Sequence, residues 1–186
     1  MIEQIWELIS IEKSSFTDAF NITLLVALLC NWRSSNLRWM ILGILGVRIL
    51  DHFAYEPVMN FNGSLFYLYV FTIDVLYILV IFQRPRTARW FVEKTRGGLR
   101  AFFSKTIKQY SVYRQELSIL AILVFSMLVS LASLFEWSIR EFTSFHPSFV
   151  YYSYYYLKSF ILCIFIIALI SITIENWINR PKVKAA

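Results

Sequence analysis

Four ionisable residues stand inside otherwise apolar stretches of this chain, Arg48, Asp51 and His52 in one and Asp74 in the next. Offsets of three and four residues project Arg48, Asp51 and His52 from one broad face of a helix. An ionised side chain near the middle of a bilayer costs on the order of 3 kcal/mol even on a lenient insertion scale, so each should face protein and find a partner. Arg48 and Asp74 fall at similar depth on neighbouring antiparallel segments and are expected to pair, within one subunit or across a subunit interface, with Asp51 sharing the arginine. Such a column has two uses. It can carry protons or gate an ion path, or it can act as a structural polar clasp, which needs fewer assumptions because one cation neutralises one acid.

Other chemistry finds little footing. There is no Gly-x-Ser-x-Gly elbow, His-Glu-x-x-His pair, phosphate-binding glycine loop or cofactor fingerprint, so the chain reads as non-enzymatic, with no catalytic residues and no cofactor. Glu56, Glu136, Arg140, Glu141 and His146 form a mixed patch. Without His-x-x-x-His or Cys-x-x-Cys spacing it reads as a solvated loop, not a metal site. Cys30 and Cys163 are expected as buried apolar fillers and not as a disulfide.

The elements that position these residues follow from composition. With 58% hydrophobic and 18% aromatic residues and a mean hydropathy of +0.58, residues 1–186 are expected to form a single membrane domain. No repeat or low-complexity linker divides them. Crossing about 30 Å of hydrocarbon takes around 20 helical residues, and five runs qualify: Phe16 to Trp32, Leu37 to Tyr55, Leu65 to Phe82, Leu117 to Ile139, and Tyr151 to Trp177. The predicted layout is a short outer amphipathic segment (1–15), spans one to three (16–82), a cytoplasmic basic arm (83–116), spans four and five (117–177) and a basic tail (178–186). The fold class is an all-α polytopic transmembrane bundle of five spans, or four if the first run lies in the interface. Glu3, Glu7, Glu12 and Asp18 against Lys13 make the start acidic, unlike a cleavable signal.

Of the eighteen Lys and Arg residues, fourteen sit at Arg33 and Arg38, between Arg84 and Arg114, and at Arg180, Lys182 and Lys184. One threading puts all of them on the same side, which by the positive-inside rule is the cytoplasm of an inner membrane, with the N-terminus outside and the C-terminus cytoplasmic. Trp32, Trp39, Trp90 and Trp177 then mark the inner headgroup level. Tyr55, Trp137 and the cluster Tyr151, Tyr152, Tyr154, Tyr155 and Tyr156 mark the outer one, with Lys158 snorkelling outward.

The arm's apolar residues Leu99, Phe102, Phe103, Ile107, Tyr110 and Tyr113 recur at helical spacing after a break at Gly97 and Gly98. This predicts an amphipathic helix on the cytoplasmic face, with its phenylalanines in the acyl boundary. Arg84, Arg86, Arg89, Lys94, Arg96, Arg100, Lys105 and Lys108 are the candidate contacts to anionic lipid headgroups or to a cytosolic protein partner. Beside apolar spans these charges orient the chain, and direct nucleic-acid binding is not expected.

Gly43 and Gly46, and the stripe Ser126, Ser130 and Ser133, permit close helix approach, within the monomer or in a homo-oligomer. The expected function is a membrane subunit that oligomerises, senses the bilayer or the outer surface, and recruits a cytosolic partner through the arm. In size and layout alone the chain resembles the small membrane component of two-gene bacterial anti-phage systems such as Kiwa, which implies antiviral defence beside a soluble effector. Two alternatives use the same residues differently: an ion channel or proton-coupled transporter built on Arg48, Asp51, His52 and Asp74, and a holin-like pore former.

Overall fold

A computed structural model describes residues 17–59, 63–110, 114–143, 147 and 149–178. The expected outer segment 1–15 and the tail cations Arg180, Lys182 and Lys184 lie outside the described residues, as do Tyr113 and His146. Among the described residues there are seven α-helices and no strand: α1 (Thr17–Cys30), α2 (Ser35–Met59), α3 (Gly63–Phe82), α4 (Arg84–Lys94), α5 (Gly97–Lys108), α6 (Arg114–Phe142) and α7 (Phe149–Ile178).

Three of them, α3, α6 and the Tyr152–Ile178 part of α7, are long and apolar enough to cross a membrane. They match the expected runs to within a few residues at each end. The other two expected spans fall short for different reasons. The described part of α1 is roughly 21 Å long at 1.5 Å per residue, less than the hydrocarbon thickness, whereas α2 is long enough but is interrupted by Arg48, Asp51 and Glu56. The chain therefore has the build of a helical membrane protein.

Neighbouring helices pack in the order α2, α3, α6, α7. Their shared core joins Leu37, Ile41 and Ile44 of α2 to Tyr77 and Ile81 of α3, Ile119 and Leu123 of α6, and Phe165, Leu169 and Ile172 of α7. Phe20, Leu24 and Ala27 bring α1 into the same cluster. Asn31, just past its end, is hydrogen-bonded to Thr173 (3.1 Å) and Asn176 (2.6 Å). Gly43 serves the close approach of α2 to α3, since a Cβ there would collide with Val80, whereas a Cβ at Gly46 would meet nothing. Ser126, Ser130 and Ser133 are all buried. Most of the small-residue surface is thus used inside the protomer.

The arm departs from the single amphipathic helix expected on the membrane surface. It is a pair of helices, α4 and α5, packed on each other and, through α5, on the start of α2. The Gln83 N–H donates to Leu79 (2.8 Å) and the Thr87 N–H to Gln83 (2.9 Å), so α4 leaves α3 almost without a break. Pro85 is tolerated there because the first helical turn leaves its N–H groups unpaired anyway. The break comes after Lys94, and Gly97 takes a positive φ of 65° that an L side chain resists.

Phe91 and Phe103 stack at 4.7 Å between centroids, and Trp39 meets Phe103 edge-on at 4.9 Å. The Trp39 indole N–H points at the Thr87 hydroxyl (3.4 Å). Phe103 and Trp39, expected at the lipid boundary, are therefore the inner packing of the arm. Burying two large rings against a third gains more apolar area than leaving them at an interface. Two polar contacts fix the same junction, from Thr106 Oγ1 to the Ser35 carbonyl (3.3 Å) and from the Ser35 N–H to Gln109 Oε1 (3.2 Å).

Candidate functional site

A cavity of about 420 Å³ lies among α1, α2, α3, α6 and α7. Arg48, Asp51, His52 and Asp74 all line it, and so does Lys158. The four residues singled out by sequence do share one site, but the expected Arg48 to Asp74 pair does not form.

Asp74 is paired with Lys158 instead, Nζ to Oδ2 at 2.7 Å. Helical spacing on α6 places Ser126 and Ser130 one turn apart on the face toward α3. Ser126 Oγ donates to Asp74 Oδ1 (3.0 Å) and Ser130 Oγ to Oδ2 (3.1 Å). The Lys158 ammonium gives its remaining protons to Ser126 Oγ (2.6 Å) and the Ser126 carbonyl (3.1 Å). All three of its donors are used, and both carboxylate oxygens are satisfied. This cross-links α3, α6 and α7, and saturation of that kind is what lets an ion pair persist at low dielectric.

Lys158 was expected to snorkel outward. It turns inward because an unpaired Asp74 would cost more than the lysine gains at the headgroups. The signal for this was present in the hydroxyls at 126 and 130, which in the middle of an apolar helix imply a polar partner opposite.

Arg48 is held on its own helix by Asp51, and its Nε donates to Asn21 Oδ1 of α1 at 3.3 Å. The Tyr69 hydroxyl of α3 donates to Asp51 Oδ1 at 2.7 Å. A pair three residues apart forms with little loss of entropy, which is why it prevails over the longer reach to Asp74. Tyr77 lines the same cavity as both ion pairs. His52 is exposed along the cavity wall and contacts the ring of Phe53.

The tyrosine cluster divides. Tyr152 and Tyr156 point outward, 73% and 71% exposed. Tyr154 and Tyr155 line the cavity, and Tyr154 meets Tyr67 edge-on at 5.2 Å. In the mixed patch, Glu136 is buried and lies 3.5 Å from Arg140, whose Nε donates to the Pro147 carbonyl. Cys30 is exposed and Cys163 half-buried, so neither is a buried filler. Among the described residues no three His, Cys, Asp or Glu side chains gather as metal ligands would.

At the other end the arm presents a charged face. Arg86, Arg89, Lys94, Arg96, Arg100, Lys105 and Lys108 are all exposed, with Trp90 and Leu99 among them and Glu93 as the acid on the two helices. Arg84 is not part of that face. It is 1% exposed, makes two hydrogen bonds to Glu116 (3.2 and 2.9 Å), and lies over the ring of Tyr110. As the first residue of α4 opposite the first turn of α6, it is a structural staple and not a contact for lipid or partner. Arg38 covers the rings of Trp32 and Phe102 at 5.0 and 4.9 Å.

No protein-family profile, characterised protein or solved structure matches this chain. Fold and site together define a helical protein of membrane composition, with a polar clasp inside the bundle and a folded basic platform at one end of it.

Proposed function

We propose that this protein is a non-enzymatic, multi-pass inner-membrane subunit that docks an acidic cytosolic partner on the α4 and α5 platform and relays to it the state of the bilayer or outer surface. In this reading α1, α2, α3, α6 and α7 all cross the bilayer, with the N-terminus outside. The observation that carries it is the folded state of the arm. Orienting a chain by the positive-inside rule needs charge alone. Seven exposed cations, six on two helices and Arg96 between them, held by Trp39, Phe91, Phe103 and the Arg84 to Glu116 staple, are a fixed pattern that complements a surface.

A route for the relay is continuous. Asp74 and the start of α4 lie on one nearly unbroken helical rod, and α2 carries Arg48 at one level and Trp39 at the other. Homo-oligomerisation is supported by the exposed row Ile167, Ile174 and Ile178 on α7. In anti-phage defence, the setting that the layout resembles, the partner would be a soluble effector.

The test is extraction of the tagged full chain from its native membranes, beside a variant with Arg86, Arg89, Arg96 and Arg100 changed to Gln. The expected result is a soluble protein in fixed ratio to the wild type, released by salt and absent from the variant. Equal recovery with both forms, or recovery of lipid alone, would overturn the reading.

A further inference from the structure

The cavity holds hydrogen-bond donors that the two ion pairs do not use. Both carboxylates are matched: Asp51 takes Arg48 and Tyr69, and Asp74 takes Lys158, Ser126 and Ser130. Arg48 engages Nε and one terminal nitrogen, and its other terminal nitrogen meets no acceptor among the described residues. The Tyr155 hydroxyl is buried and has no partner among the described residues. A buried hydroxyl left in that state costs about 1–3 kcal/mol, and on Tyr155, a residue of the cavity wall, it points to an acceptor that arrives with a ligand. A guanidinium can only donate, which selects an acceptor and disfavours a cation.

The rest of the wall is apolar. Phe20, Ile73, Ile122, Leu162 and Phe165 contribute hydrocarbon from four helices, and about 420 Å³ lies within the range of small-ligand sites. We propose that this cavity binds a single-chain amphiphile with an anionic oxygen head, the head at Arg48 and Tyr155 and the chain along the Phe20 to Phe165 side. A carboxylate or a phosphate monoester offers the same acceptor oxygens to both donors. The inference goes beyond the docking reading and stands without it. Arg48 lies roughly 20 Å along α2 from the arm junction at Ser35, so either can fail while the other holds.

The experiment is equilibrium dialysis of labelled ligand against the full chain, exchanged from detergent into lipid-free amphipol. Four probes are compared: dodecanoate, dodecyl phosphate, dodecanol and inorganic phosphate. One saturable site per chain is expected for dodecanoate or dodecyl phosphate, with dodecanol and inorganic phosphate each at least about tenfold weaker. Binding of dodecanoate alone assigns the site to fatty acids, and binding of dodecyl phosphate alone assigns it to a lysolipid phosphate. Tyr155→Phe keeps the ring and should weaken the favoured probe about tenfold. The charge-neutral double variant Arg48→Gln with Asp51→Asn should erase the preference over dodecanol.

Gel filtration and helicity check that each variant folds, and if one does not, the other and the dodecanol comparison decide. No saturable uptake of either anionic probe, equal affinity for dodecanol, or wild-type binding by the folded variants would overturn the proposal.

Discussion

Lys158 Nζ sits 2.7 Å from Asp74 Oδ2, joining the middle of α3 to the first third of α7 across a gap that Ser126 and Ser130 of α6 fill. Three helices meet at one buried charge pair. Removing either partner strands the other, so Lys158→Met or Asp74→Asn alone should destabilise the protein by about 3–5 kcal/mol. The double variant should regain most of that loss, because no charge is left unpaired. Thermal unfolding of the four forms in detergent measures the coupling, and simple additivity of the two losses would contradict the clasp.

The Arg84 to Glu116 staple makes a separate prediction about the arm. Glu116→Gln leaves a guanidinium 1% exposed without its counter-charge, and about 3 kcal/mol of local stability should be lost. Hydrogen exchange should rise across α4 and α5 and stay unchanged in α7. Replacing the exposed Arg89 with Gln should shift exchange nowhere, since an exposed cation contributes at most a few tenths of a kcal/mol.

Trp39→Ala tests whether the platform is one packed unit. It removes the ring that meets Phe91 at 5.6 Å and Phe103 at 4.9 Å, a truncation of the size that costs about 3–5 kcal/mol in cores. Limited proteolysis of purified protein should then cut near Thr95 to Gly98, where the wild type resists. Unchanged resistance would mean that the arm stands without α2.

The two glycines of α2 separate packing inside the protomer from open surface. Gly43→Ala should destabilise by about 1–3 kcal/mol through the collision with Val80. Gly46→Ala has open space around it and should be neutral or gain up to about 1 kcal/mol of helix propensity. Melting curves of the two variants rank them, and a larger loss at Gly46 would place another protomer against that flank.

Sidedness is tested by a cysteine at Arg96 in a background with Cys30 and Cys163 changed to Ser. In the proposed topology an impermeant maleimide should label Arg96→Cys in inverted membrane vesicles and not in intact cells. Labelling in cells would reverse the topology.

The long helices, their order and the basic character of one end follow from local sequence. Runs such as Leu65 to Phe82 and Leu117 to Ile139 cannot hide their hydrophobicity, and the observed α3 and α6 end within a few residues of them. Helical offsets alone put Arg48, Asp51 and His52 on one face. Those three members of the polar site, with Asp74, were therefore legible, whereas Lys158 was expected at the outer headgroups and the serines of α6 as a packing stripe.

Pairing was not legible, because it depends on which helix lies opposite and how far a side chain must reach. Asp51 is near Arg48 in the chain and captured it, and Asp74 was left to a lysine 84 positions away. The same applies to the arm. Periodicity marked Phe103 as apolar, but only the docking of α5 on α2 turned that ring inward onto Trp39. Of eight cations expected on one surface, tertiary contact with Glu116 drew Arg84 inside. Sequence determines what each helix must bury and which charges need company. The packing of α2, α3, α6 and α7 decides the partners, because burying a charge unpaired costs more than any local preference can recover.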